Sequence, residues 1–264
     1  MIRVTVWNEF QHERTQEKVK EIYPDGIHTC IAKFLRQEEE LSVRTAVFDE
    51  KEHGLTEEVL ANTDVLVFWN HMLQEEFSDD VAERVRRHVL AGMGLVVLHS
   101  GHYSKIMRKL LGTSMTLRWR HGDRERLFCT CPTHPIAQGI PAWVDIPEEE
   151  MYGEFFDIPK PDDVVFTGWF AGGEVFRSGC TPVPVPEVRY RILWFPLLLT
   201  LLIQLCHLKV LTSFMFPPSR FHSVLFISTQ FIRVLLDGSY YSVFHLISQM
   251  HEFCNSLFFS RNNS

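Results

Sequence analysis

Histidines and carboxylates recur just after the apolar runs of this sequence. Glu9 and His12 follow the run IRVTVW, three residues apart, so one turn of helix sets both toward one site. Asn70 and His71 follow DVLVFW, and His99 and Ser100 follow GLVVL. Glu154 stands among aromatics in MYGEF, surroundings that raise a carboxyl pKa and suit it to proton transfer. Histidine titrates near neutral pH and also ligates metals. Two chemistries follow. His99 and Glu154 are candidate acid–base catalysts. His12, His71, His99 and Glu154 are a candidate zinc set with a position open for water or substrate. Each residue also has a plainer reading. His99 can be a buried group satisfied by backbone, His71 a loop histidine, Glu9 and His12 a solvated pair, and Glu154 a solvent-facing acid.

Ser100 raises a third chemistry. A hydrolase elbow is Gly-x-Ser-x-Gly, because small neighbours permit the tight strand-to-helix turn. Here the window is Leu98-His99-Ser100-Gly101-His102, with leucine in the first glycine position. His102 is too local to be an obvious base. Ser100 therefore ranks third among the catalytic candidates, and a ligand-binding hydroxyl or a helix N-cap suits it better. No cysteine sits at this junction, so thiol chemistry is not expected there.

Other classes are disfavoured. The net charge of -7 gives no footprint for nucleic acid. GxxxxGK[ST] and GxGxxG are absent, and GMG at 92–94 precedes its strand, so no nucleotide cofactor is expected. MIRVTVWNEF reads as a first strand rather than a signal peptide, and the six cysteines lack CxxC spacing. A reducing, cytoplasmic setting is the natural expectation.

The elements that must position these residues read as α/β. Strands are expected at 2–7, 42–47, 64–69 and 95–98. Helices are expected at 27–37, at 56–61 opened by Thr56, and from a Ser78 cap through Ala91. Apolar strands alternating with amphipathic helices make a mostly parallel sheet covered on both faces, in three layers. Ligand sites of such sheets lie beyond the carboxyl ends of the strands, where the polar residues gather. Beyond Gly112 the pattern changes. Residues 115–120, 124–130, 143–146 and 164–169 read as extended, 133–141 as a loop, 149–155 as loop or short helix, and 174–177 as the start of a strand.

The chain then changes dialect. Residues 1–180 hold 30 of the 33 Asp and Glu, while 181–264 hold 10 of the 21 Phe. PVPVPEV at 182–188 cannot be a central strand, because alternate residues lack a donor. LWFPLLLTLLIQLC at 193–206 is apolar almost all round, but short and interrupted for a membrane span. Two regions follow: an α/β domain over 1–180 and a Phe/Leu/Ser-rich tail over 181–264.

RVTVWNEFQHE, YPDGIH, DVLVFWNH, GLVVLHSGHYSK, LRWRHGDRERLF, THPIAQGI and EEEMYGEFFDIP occur in this order. In order and spacing they resemble the trehalose-utilisation ThuA-like family over residues 1–180. The resemblance implies a flavodoxin-like fold, similar to class I glutamine amidotransferases without their triad. It implies a carbohydrate-utilisation role on trehalose-related disaccharides or their keto-sugar derivatives, with a sugar dehydrogenase as partner. Acid–base isomerisation, elimination or hydrolysis would fit, and a noncatalytic sugar-binding or scaffold protein is the alternative. Asn8, Asn70, Tyr103, Arg118 and His121 are then candidate substrate contacts, and a homo-oligomer is a further expectation. The family continues past residue 181 with a Gly-rich turn, a strand and a covering helix. PVPVPEVRYRILWFP stands there instead, which resembles translation out of frame.

Overall fold

The computed structural model describes residues 1–134, 137, 140–185 and 188–195; for 178–195 only the course of the backbone is described. Four apolar runs form β1 (Ile2–Asn8), β2 (Leu41–Val47), β3 (Val65–Trp69) and β4 (Gly94–Leu98). They run parallel in the order β2-β1-β3-β4. Asn8 is level with Val47 and Trp69, so the strands finish together at one edge.

Alternation along the strands separates two cores. Val4, Val6, Val65 and Val67 face α2 (Glu17–Ile22) and α3 (Ile27–Leu35) through Val19, Ile27 and Ile31. Trp7, Leu66, Phe68 and Val97 face α5 (Asp79–Leu90) and α6 (Lys105–Leu111) through Val81, Val85, Ile106 and Leu110. A sheet buried on both faces needs such apolar continuity, and the three layers follow from it. The caps are local. Thr56 accepts from the Val59 amide to open α4 (Glu57–Ala61), and Ser78 accepts from the Val81 amide to open α5. Ser104, not Ser100, caps α6. A short α1 (His12–Thr15) follows β1.

The second half of the sheet is antiparallel. It contains β5 (Arg118–Cys129), β6 (Trp143–Gly153), β7 (Phe166–Phe170), β8 (Val175–Val185) and β9 (Val188–Phe195). The full order is β2-β1-β3-β4-β9-β8-β7-β5-β6, with β9 parallel to β4 and antiparallel to β8. The sheet is thus mixed, its parallel part joined to an antiparallel extension.

Three local expectations change. The two extended pieces at 115–130 are one irregular strand, with register shifts between Arg120 and Glu125. Residues 149–153, expected as loop or short helix, belong to β6, because Arg118, Trp119 and Arg120 pair with Gly153, Tyr152 and Met151. Residues 181–185 do pair. Their partner is β9, whereas β7 pairs with the earlier part of β8. Pro182 and Pro184 therefore lie where the ladder runs on one side, which is where proline is tolerated.

The 133–141 loop falls partly outside the described residues. So does 193–206, of which Leu193–Phe195 ends β9. Among the described residues no helix is long and apolar enough to cross a membrane.

Candidate functional site

The site begins with a buried anion. Glu9, just past β1, accepts from Asn70 Nδ2 at 2.8 Å and from the amides of His71, Met72 and Leu73 at 2.7, 2.8 and 3.0 Å. Burial opposes its charge. The His12 contact and the three amides outweigh that cost and hold its pKa below the ordinary carboxylate value. Glu9 therefore fixes the loop after β3, and with it His71.

His12 completes this corner. Its Nδ1 lies 3.4 Å from Glu9 Oε1 and its Nε2 3.0 Å from His71 Nδ1. The two rings stack with centroids 4.9 Å apart. Burial first, and the neighbouring His12 next, push His71 down to about 4, so it is neutral at pH 7.

His99 stands at the end of β4 with φ of 43°, a left-handed conformation that costs a non-glycine residue about 1 kcal/mol or more. The junction does carry backbone strain, at the residue before Ser100. Gly101 follows because a Cβ there would press on Val97 Cγ1 at 3.0 Å and the Phe68 carbonyl at 3.3 Å. His99 Nε2 lies 3.1 Å from Glu150 Oε2, and its Nδ1 lies 3.1 Å from the Tyr152 hydroxyl. Burial pulls the His99 pKa down, but the Glu150 hydrogen bond and the charges of Glu150 and Glu149 raise it above the ordinary imidazole value. Glu150 is lowered in turn: burial opposes its charge, while His99, His121 and His71 outweigh burial. His121 Nδ1 lies 3.5 Å from Glu150 Oε1. The His99 and Glu150 side chains are mostly buried but keep 22% and 17% of their surface exposed.

Behind this pair, Glu125, Glu149, Tyr152, Phe170 and Phe176 join His99 and Glu150 around a small pocket. Glu125 is buried, and its Oε2 has no hydrogen-bond partner among the described residues. Burial, then Glu149, raises its pKa well above the ordinary value. Gly168 makes the space, since a Cβ there would collide with Glu125 Oε1.

The remaining sequence candidates fall in different places. Ser100 Oγ is buried and has no hydrogen-bond partner among the described residues. His102 Nδ1 makes a 2.8 Å hydrogen bond with the Met115 carbonyl, and burial lowers its pKa to about 3. Asn8 is buried, donating to Glu13 Oε1 at 2.7 Å and accepting from the Phe10 amide at 3.1 Å. Asn70 is equally buried, held by Glu9. Tyr103 is exposed beneath Arg108, whose Cζ lies 4.8 Å from the ring centroid. Arg118 is exposed on β5. Glu154 pairs with Arg177 Nε at 2.9 Å and accepts from the Phe156 amide at 3.0 Å.

The structure thus brings His12, His71, His99 and His121 toward one edge and gives Glu154 a different partner. His12 and His71 turn their facing nitrogens on each other. Among the described residues no group of three or more His, Cys, Asp or Glu is arranged to hold a metal ion. Glu154, the carboxylate of the expected zinc set, is engaged by Arg177 instead, and no chemical step is assigned to a metal. Glu150 and Tyr152 are candidate site residues that the sequence analysis does not single out. Their signal was a spacing of two, which in a strand places both on one face.

The sequence matches the family described as ThuA, trehalose utilisation, over residues 3–191. The chain belongs to the ThuA family. Curated proteins offer no match. A solved ThuA-like protein from Parabacteroides merdae has a TM-score of 0.53 at 12% identity, covering 74% of this chain and 78% of that one. It shares the fold with this ThuA family member. A ThuA-like protein from Bacteroides uniformis has a TM-score of 0.49 at 14% identity, covering 74% and 81%. A glutamine amidotransferase from Thermotoga maritima has a TM-score of 0.41 at 10% identity, covering 74% of each chain.

Proposed function

We propose that this ThuA family member is an acid–base enzyme acting on keto-sugar derivatives of trehalose-related disaccharides. The observation that carries the reading is the 3.1 Å contact between His99 Nε2 and Glu150 Oε2, at the carboxyl edge of the parallel strands and partly exposed. Glu150 keeps His99 protonated, and His99 supplies a proton to a carbonyl oxygen as charge develops on it. Glu150, once released from the pair, is the carboxylate that removes the proton beside the carbonyl. Tyr152 orients the imidazole through Nδ1. His121 Nδ1 stands 3.5 Å from the second oxygen of Glu150. Glu154, engaged by Arg177, has no part in this step.

The family's trehalose-utilisation description supplies the substrate class. The chemistry is proton abstraction next to a ketone, which serves isomerisation or elimination. The test is hydrogen exchange in D2O on trehalose oxidised to a ketone, followed by proton NMR. Loss of the signal beside the ketone is expected with the wild type, with at least a hundredfold slower loss in His99→Gln and Glu150→Gln. No exchange above background in the wild type would overturn the reading.

One observation favours a second reading. Both His99 nitrogens are engaged by protein groups, which suits a noncatalytic sugar-binding protein. Saturable binding of the ketone without exchange would support that reading.

A further inference from the structure

The strands that line the His99 pocket have a second face. Alternation sends Glu125, Leu127, Ile146, Gly168 and Phe170 inward. The outward residues are of another kind. Phe128 and Trp143 are opposite each other on β5 and β6, and Arg126 is opposite both Asp145 and Trp169. Trp169 is in turn opposite Val175. The exposures are 39% for Phe128, 48% for Trp143, 39% for Trp169 and 49% for Val175. Arg126 binds Asp145 in a fork, at 2.9 and 3.0 Å, and lays its guanidinium 4.5 Å from the Trp143 centroid.

We propose that this outward face binds a neutral oligosaccharide. Exposed aromatic rings offer flat apolar area at low entropic cost, and the C–H face of a pyranose is flat and apolar in the same way. The forked Arg126–Asp145 pair lies beside the rings and presents both donors and acceptors to equatorial hydroxyls. Trp143 and Trp169 are two strands apart and offset along the strand, about 12 Å by standard sheet spacing. One sugar ring cannot touch both; an extended chain can.

The size of the patch argues against a protein occupant. Its exposed apolar area comes to about 300 Å², against about 450 Å² of apolar area per partner in a stable protein interface. Strand addition at β6 is discouraged by Pro147, which has no amide to donate, and by the carboxylates of Glu148 and Glu149. Arg124 and Arg126 share the Asp145 carboxylate, each at 2.9 Å, so this cluster offers a polyanion only one net positive charge. This proposal does not rest on the acid–base reading, because the His99 pocket opens on the other face.

The test is isothermal titration of the full chain with cellohexaose and with maltoheptaose. At least one is expected to bind, about tenfold more weakly or worse after Trp143→Ala or Trp169→Ala, and unchanged after His99→Gln. Trp143→Phe keeps a flat ring and should retain most of the binding, separating ring loss from misfolding. Three results would each overturn the proposal: neither sugar binds the wild type, the tryptophan changes leave binding intact, or those changes alter the mass in solution instead of sugar binding.

Discussion

His99 and Glu150 meet across the seam where the parallel part of the sheet joins its antiparallel extension, with Nε2 and Oε2 3.1 Å apart. One comes from the end of β4, the other from β6 at the far edge of the sheet. Neither strand alone makes the pair. Its charge state sets the first expectation.

The pair should stabilise the fold in a defined pH window. Glu150 is lowered on folding, so its contribution is present above its ordinary value of 4.5 and is lost as pH falls through the lower folded value. His99 is raised, so its contribution is complete below its ordinary value of 6.5 and is lost as pH rises through the higher folded value. Glu150→Gln should cost about 1–3 kcal/mol at pH 5–6 and less at pH 9. Urea unfolding of both proteins across pH checks this. An equal cost at every pH would contradict it.

Glu9→Gln should be more damaging. The carboxylate serves three backbone amides and Asn70. An amide nitrogen in place of one oxygen would face those donors with another donor. A loss of about 2–4 kcal/mol is expected, by thermal or urea unfolding.

Glu125 should behave in the opposite sense. A carboxyl whose pKa rises on folding destabilises the fold once the pH passes its unfolded value, and this penalty disappears in acid. Glu125→Gln should therefore gain about 1 kcal/mol at pH 7 and nothing at pH 3. Gly168→Ala should be destabilising, because the new Cβ meets Glu125 Oε1. That cost should shrink in the Glu125→Ala background, as a double-mutant cycle would show.

Ser100→Ala separates two chemistries. Ser100 Oγ is buried and unpartnered, so its removal should change stability by less than about 1 kcal/mol. Exchange activity should persist within a fewfold. A thousandfold loss would restore Ser100 as a nucleophile.

Much of the fold is legible because its signals are local. Thr56 and Ser78 cap helices where their side chains and the apolar period that follows require. The buried strands β1, β3 and β4 are short apolar runs bounded by polar residues, and that placed Glu9, His71 and His99 near one edge. The antiparallel half was harder to read. Register shifts between Arg120 and Glu125 break the alternation of β5, and Pro147 interrupts β6. With 149–155 read as loop or short helix, the two-residue spacing of Glu150 and Tyr152 carried no meaning, and Glu154 drew attention for its aromatic neighbours. Asn8 shows a different limit. Its type suits a sugar hydroxyl, but Glu13 comes to it from α1, a pairing that only the folded chain reveals. The compositional break at residue 181 falls inside β8.

The most direct measurement follows the His99 imidazole by NMR, with ¹⁵N-labelled histidine, in the wild type and in Glu150→Gln. A wild-type midpoint above 6.5, falling on substitution, is expected if Glu150 holds His99 protonated for acid–base work. A wild-type midpoint at or below that value, or one indifferent to Glu150, would contradict the assignment.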